Sequence, residues 1–474
     1  MTAGQEREGD KMARQKTPKA AASAGKAGGE LARLLKAHPE VTQVDAFLAD
    51  MNGVPRGKRF PVHEAGKIWD SGVQLPFCLY FLDVTGEDLD PGGRSEARGD
   101  PDGNAFPVTG TLVPVPWASE PTAQVLLTMP EQKNEPCLVD PRQLLARLLA
   151  RFAKRGLAPM VAVELEFYLM DRKRGALGEP LPPISPATGE PDSSRQLYSI
   201  GGLDIYADVV RDVAAAAKLQ HVPASTAIAE NSPGQFEINL HHDADAVRAC
   251  DHAVLLRRII KSVAPKHGFS ASFMAKPYLD RAGSGMHVHC SLVDAKGRNA
   301  FDDGGEKGTA LLRHAIGGLG ATTAEAMALL APSVNSYRRY RPGSLVPMGT
   351  TWGYNNRSVA FRVPTGSPKA RRIEHRIAGA DANPYLAVAA ILAGMLHGIE
   401  HKIDPGAPAT TDVSGKIDRW MPFQWHEAIA TLRKAKILPD YLGADYLALY
   451  ADAKAAELAK FANALSPREH EWYL

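Results

Sequence analysis

The sequence predicts a two-domain protein of mixed α and β structure: a small β-rich domain, then a larger one in which helices alternate with strands. Three observations carry this. At 474 residues the chain exceeds the usual size of one domain. From Val41 to Pro136, short apolar runs are broken by turn residues. Beyond them, segments of helical and of alternating periodicity follow one another to the C-terminus.

The elements run as follows. Met1 to Glu30 is rich in Ala, Gly and Lys, carries mixed charge and lacks an apolar h-region, so residues 1–35 read as a disordered tail and not a signal peptide. Residues 36–136 form the β-rich domain. It begins with a hairpin in VDAFLADMNGVPRGKRFPV, with Asn52-Gly53 as the turn signal. FCLYFLDVTGE, TLVPVPW and TAQVLLTM continue its strand character. Cys137-Leu-Val-Asp140-Pro141 marks the boundary to the domain at 137–474. Asp140 suits an N-cap and Pro141 the first helical position of RQLLARLLARFAKRG, which Gly156 ends. VAVELEFYLM is the next strand, followed by a Pro/Gly-rich surface loop near Gly175 to Asp192. ADVVRDVAAAAKLQ is a helix. ASTAIAENSPGQFEINL gives two strands around Asn231-Ser232-Pro233-Gly234. A long amphipathic helix (ADAVRACDHAVLLRRIIKSVAPKHG) and the strand GMHVHCSLVD come next. NPYLAVAAILAGMLHGI is a buried helix, and YLALYADAKAAELAKFANAL a helical C-terminal stretch.

Composition excludes several classes. A net charge of +2 argues against a dedicated nucleic-acid binder, and 45% hydrophobic with 23% charged residues is ordinary for a soluble globular protein. The four cysteines (Cys78, Cys137, Cys250, Cys290) are far apart with no C-x-x-C, so no disulfide framework or zinc knuckle is expected; a reducing cytoplasm fits. The longest apolar run, Leu386 to Leu396, is about half the 18 to 20 residues that span a bilayer.

Chemistry concentrates between Arg338 and Arg376. Eight arginines (Arg338, Arg339, Arg341, Arg357, Arg362, Arg371, Arg372, Arg376) and Lys369 stand there against one acid, Glu374. Guanidinium forks suit phosphate and carboxylate oxygens, and their charge does not titrate away. Alone, this could be a solvated basic face. Three pairs two residues apart, Glu164/Glu166, His287/His289 and Glu374/Arg376, each point to one face if their segments are strands. Glu230 and Glu237 flank a turn that brings them near each other. Together, five carboxylates and one or two histidines form an oxygen-rich site suited to Mg²⁺ or Mn²⁺, with two or more ions to balance the charge. Metals beside arginines are what phosphoryl transfer from a nucleotide requires. No G-x-x-x-x-G-K-[ST] is present, so this is not a P-loop enzyme.

From residue 40 onward these segments resemble the glutamine synthetase family. VELEF is similar to its E-x-E-F strand, PGQFEINL to its G-Q-x-E segment, and GSGMHVHCSL to G-S-G-M-H-x-H-x-S-L. NSYRRYRPG, NNRSVAFRVP, SPKARRIEHR and ANPYL resemble its remaining signatures, and the pattern is closest to the γ-glutamylpolyamine (glutamate–putrescine) synthetases. The resemblance implies an α+β fold, with an N-terminal β-grasp domain and a catalytic domain built on an antiparallel sheet. It also implies a homo-oligomer, commonly a dodecamer of two hexameric rings. By position, Glu166, Glu230 and Glu237 would hold one metal, and Glu164, His287 and Glu374 another. His289, Ser291, Arg357 and Lys369 match positions beside ATP. Arg362 and Arg372 match positions near the phosphates. Arg339 and Arg376 would bind glutamate, with backbone contacts from Gly283. The implied chemistry is phosphorylation of the glutamate γ-carboxylate and displacement of phosphate by an amine.

Departures from the pattern bear on the amine. The family's Phe-Asp-Gly-Ser-Ser segment is missing from GVQLPFCLYFLD, where Cys78 lies near the place. The flap P-G-x-E-A-P reads PGSLVP, so Leu345 stands where a catalytic glutamate is expected, and Ala282 replaces the usual asparagine before GSGMH. Losing both carboxylates removes what would capture a small cation and accept its proton. The expectation is therefore an ATP-dependent ligase joining glutamate to a polyamine such as putrescine, or to a monoamine; the alternative is true glutamine synthesis from ammonium. A metal-dependent amidohydrolase would leave the arginines idle. A non-catalytic scaffold would not keep all five metal carboxylates.

Overall fold

The computed structural model describes residues 24–93, 99–130, 139–195 and 197–474. Cys137, placed at the expected boundary, lies outside them.

Of the tail expected over residues 1–35, residues 1–23 lie outside the described residues; from Ala24 onward the expectation needs correction, because Ala24–Ala37 is a helix. Leu31, Leu34 and Leu35 share one helical face and pack against the core, and Glu30 accepts a hydrogen bond from the Gly110 amide at 2.9 Å. The Ala/Gly/Lys composition hid this short apolar stripe.

The first sheet has six strands: β1 Gln43–Ala49, β2 Pro55–Pro61, β3 Val73–Pro76, β4 Asp102–Pro107, β5 Val113–Pro114 and β6 Thr122–Thr128. Their order is β2-β1-β6-β4-β3, with β5 on β6. β1 runs antiparallel to β2 and parallel to β6, the central pairing of a β-grasp. Gly53 turns the expected hairpin at φ +71°, and the buried Asp50 carboxylate accepts the Asn52 and Val54 amides at 2.8 and 2.9 Å. FCLYFLDVTGE is not a strand. Phe77–Phe81 is a 3₁₀ turn whose Phe81 packs near Tyr446, and Asp83 then accepts the Thr85 and Glu87 amides. These side-chain bonds compete successfully with a ladder.

Asp140 links this sheet to the next unit. Its carboxylate caps the helix Pro141–Ala153 through the Arg142 amide at 2.7 Å, and accepts from Thr128 and Met129 at the end of β6. The second sheet has eight strands: β7 Leu157–Asp171, β8 Ala224–Ala229, β9 Gln235–Leu240, β10 Phe269–Ser272, β11 Met286–Asp294, β12 Trp352–Tyr354, β13 Phe361–Val363 and β14 Ile373–His375. The order is β12-β13-β14-β11-β7-β9-β8, with β10 on β7. Only β12 and β13 pair in parallel.

Strand periodicity decides what this sheet can do. Along β7, Val161, Val163, Leu165 and Phe167 are buried, while Glu164 and Glu166 alternate with them onto the other face. The apolar face is covered by the helices Pro141–Ala153 and Ala246–Val263. The buried helix Pro384–His401 packs on both of these and on Ala310–Leu330. Asn383 joins the two halves of the molecule: it caps that helix through the Tyr385 amide at 2.9 Å, and its own amide donates to the Asp50 carbonyl at 2.8 Å. Among the described residues, no helix is long and apolar enough to cross a membrane.

Helices Ala310–Leu330 and Pro384–His401 touch backbone to backbone. A Cβ at Gly318 would stand 2.0 Å from the Gly394 carbonyl oxygen, and one at Gly398 would stand 2.0 Å from that of His314. Gly318→Ala is therefore expected to destabilise the protein by about 1–3 kcal/mol, read as a lower urea midpoint. An unchanged midpoint would mean that the helices can separate at no cost.

Candidate active site

Cross-strand register assembles the site on the open face of the second sheet. Glu166 of β7 stands opposite Glu237 of β9, and Glu164 opposite His287 of β11. His289 stands opposite Glu374 of β14, and Glu374 opposite Arg362 of β13. Residues far apart in sequence thus form one continuous row, because residues at two-residue spacing share a face. Glu230 directly follows β8. Gly234 closes the turn at φ +71°, where a Cβ would meet the Leu169 carbonyl oxygen at 2.7 Å.

The row lines a cavity of about 1090 Å³. Glu164, Glu166, Glu230, Glu237, His287, His289 and Glu374 all face it, as do Gly283, Arg339, Leu345, Arg357, Arg362, Arg372 and Arg376. Ser291 and Lys369 do not line it. Ser291 continues the His287–His289 face of β11 one step beyond the cavity, and Lys369 lies on an exposed 3₁₀ turn whose carbonyl accepts from Asn299. Arg371 is also diverted, donating to the carbonyls of Gly305 and Glu306.

Hydrogen bonds fix the histidines. Arg372 Nε donates to His289 Nδ1 at 3.0 Å, and a guanidinium can only donate. His289 Nδ1 is therefore the acceptor, which leaves Nε2–H to donate to Glu164 Oε1 at 2.7 Å. His287 Nδ1 lies 3.3 Å from the other Glu164 oxygen, and its Nε2 lies 3.8 Å from Glu166. The Gly285 amide donates to Glu166 at 2.8 Å. Glu374 accepts from Arg376 and, at 2.7 Å, from Arg362, which also donates to Asn355 at 3.0 Å.

Charge compensation is uneven along the row. Burial would raise the Glu374 pKa, but nearby positive charge, the Arg376 guanidinium above all, outweighs it and holds it at about 2. Burial likewise opposes ionisation of Glu164, and its two histidine partners reverse that, leaving it well below the usual range. At the other end, burial and the carboxylates of Glu164, Glu166 and Glu230 push Glu237 to about 9. Burial, then Glu166, push Glu230 to about 7. His287 and Arg357 offset only part of this at Glu230, and a metal would supply the rest. Two donor groups have ligand atoms within 4.8 Å of one another, Glu164–Glu237–His287 and Glu164–His289–Glu374. They share Glu164 and include His289, which differs from the grouping expected from the sequence. The oxygen-rich set fits Mg²⁺ or Mn²⁺ better than zinc.

The arginine side fits an anion. Arg339 and Arg376 are buried, and the Nε–H groups of Arg339, Arg362 and Arg376 have no hydrogen-bond partner among the described residues. Such buried donors are costly unless a ligand accepts from them. Gly283 lies against Arg339: a Cβ there would stand 2.9 Å from the arginine side chain. Sequence reasoning passed over several cavity residues, including Tyr198, Lys276, Leu279, Asp280 and Arg281. Tyr198 has φ +59°, and Asn355, which steers Arg362, has φ +48°. Asn355 carries a weak sequence signal, because asparagine is enriched at left-handed backbone, whereas Tyr198 carries none.

Comparison with known proteins follows the same lines. A description of the glutamine synthetase catalytic domain matches residues 138–473. Gamma-glutamylputrescine synthetase PuuA of Escherichia coli is 41% identical over 449 residues, 94% of each chain. Glutamate–isopropylamine ligase of a Pseudomonas species is 32% identical over 420 residues, 86% of this chain and 90% of the relative. A solved structure titled apo GmaS without ligand gives a TM-score of 0.78 at 28% identity, covering 94% of this chain and 99% of its own.

Removing one central carboxylate tests the metal reading. Glu166→Ala is expected to weaken Mn²⁺ binding by at least about tenfold in equilibrium titration while circular dichroism stays unchanged. Undiminished Mn²⁺ binding would remove Glu166 from the ligand set.

Proposed function

Because the chain belongs to the glutamine synthetase family, we propose that it is an ATP-dependent ligase that joins the γ-carboxylate of glutamate to an amine larger than ammonium. The observation that carries the choice of amine is Leu345. It lines the same cavity as the five carboxylates and is 73% exposed, at a flap position where ammonium chemistry needs an acid. A leucine can neither hold a small cation nor take its proton. It can cover the carbon chain of a larger amine. The relatives named as glutamate–amine ligases support the same reading.

The residues divide as follows in this reading. Glu164, Glu166, Glu230, Glu237, His287 and Glu374 hold two or more Mg²⁺ or Mn²⁺ ions. When bound, these ions neutralise the carboxylates and polarise phosphate oxygens. Arg339 and Arg376, with the Gly283 backbone, hold the glutamate substrate. Arg362, fixed on one side by Glu374 and on the other by Asn355, is pre-oriented toward the transferring phosphoryl group. Arg357, Arg372 and His289 serve the nucleotide. ATP phosphorylates the γ-carboxylate and leaves as ADP; the free amine nitrogen then attacks the acyl carbon of the γ-glutamyl phosphate, and inorganic phosphate leaves as the amide forms, with one amine proton passing to the departing phosphate.

A cytoplasmic location fits the free thiols of Cys78, Cys250 and Cys290. A homo-oligomer, as a dodecamer of two hexameric rings, would cover the exposed apolar end of the chain, where Phe461, Leu465, Trp472, Tyr473 and Leu474 face solvent.

Phosphate release with glutamate, ATP and a panel of ammonium, diamines, ethanolamine and alkyl- and arylamines tests the proposal. An organic amine should lead the panel; ammonium leading would overturn the reading. Leu345→Glu is expected to raise kcat/KM for ammonium relative to the best amine by about tenfold or more. An unchanged ratio would count against the flap argument.

A further inference from the structure

The mouth of the cavity sharpens the ligase reading, on which this inference rests. Away from the carboxylate row the wall turns apolar. Leu197, Tyr198, Leu279 and Leu345 line it with exposures of 54, 56, 58 and 73%. Large apolar side chains left in water around a polar site suit a ligand that is partly apolar. Tyr198 is also held under backbone strain. Its φ of +59° is left-handed, and its amide donates to the Ala229 carbonyl at 2.9 Å, one residue before Glu230. Such strain persists where surrounding structure enforces it and is concentrated at binding sites.

Among the cavity-lining residues, Asp280 is the one acid outside the metal cluster. It is exposed, directly follows Leu279, and has no salt bridge or hydrogen bond to its carboxylate among the described residues. The neighbouring cations are engaged elsewhere: the Lys276 ammonium donates to the Arg281 carbonyl, and the Arg281 guanidinium lies 4.3 Å from the centre of the Tyr278 ring. Arg195, Lys276 and Arg341 make the rest of the rim cationic. Asp280 is therefore the carboxylate among the cavity-lining residues that is available to a second ammonium at the mouth.

We propose that this collar is the subsite for the far end of a linear diamine. The methylene chain lies against Leu197, Leu279 and Leu345. The Asp280 carboxylate and the face of the Tyr198 ring receive the distal ammonium. Ammonium would leave the collar empty, and an alkyl monoamine would use its apolar part alone.

Steady-state kinetics with 1,4-diaminobutane and butylamine, equal in chain length and different by one charge, test this. The wild type should prefer the diamine. Asp280→Asn should lower diamine kcat/KM about fivefold, mainly through KM, with butylamine within about twofold of wild type. Tyr198→Leu should likewise lower the diamine more than butylamine. Equal losses for both amines, or no loss for the diamine, would overturn the assignment. A wild type that uses butylamine but not the diamine would overturn it too while leaving the ligase reading standing; one that uses ammonium alone would sink the ligase reading itself.

Discussion

Four carboxylates held on one face of a β-sheet, with a fifth, Glu230, on the turn beside them, set the terms for this molecule. Two like charges 4 Å apart cost about 4 kcal/mol at the effective dielectric of a protein surface, and sheet register keeps Glu164, Glu166 and Glu237 from moving apart. The face that carries them cannot drive folding. The opposite face does that work: Val161, Val163, Leu165 and Phe167 bind the sheet to helices that are themselves buried. The hydrophobic side thus stabilises the frame in which the charged side is held.

That charge is not compensated evenly, and the unevenness separates two halves of the site. Around Glu374 the protein supplies its own cations, Arg362 and Arg376. Around Glu230 and Glu237, burial and the neighbouring carboxylates push both acids above the usual carboxylate range, and the charges of His287 and Arg357 offset only part of this at Glu230. One end is ready for anionic oxygens to share its arginines. The other offers the oxygen-rich donors that suit a divalent ion. Phosphoryl transfer to a carboxylate uses both conditions at once.

Much of this was legible in the sequence, because strand spacing places Glu164/Glu166 and His287/His289 without a structure. The hairpin at Asn52-Gly53, the Asp140 cap and the strands around Asn231–Gly234 all carry local chemistry strong enough to decide their own form. What stayed hidden depended on distant partners. The helix Ala24–Ala37 rests its few leucines on a core that its own sequence does not reveal. FCLYFLDVTGE has strand composition, but Asp83 captures its backbone and Phe81 turns toward Tyr446 on the helix Ala444–Ala462. Among the site residues, those near the mouth were missed because Tyr198 and Asp280 sit in loops whose placement is set by β8 and by the Lys276–Arg281 segment. Ser291 and Lys369 matched positions of the family pattern, yet they lie away from the cavity wall.

The Asn383 junction has a consequence for how the molecule comes apart. One buried amide caps the most apolar helix and also holds the Asp50 carbonyl of the N-terminal hairpin, while the fully buried Lys454 binds Asn52 of the same turn and Glu457. Neither sheet can be released without stranding polar groups of the other in an apolar interior. The two sheets should therefore melt as one cooperative unit, so that calorimetry records a single endotherm where chain length alone would suggest two.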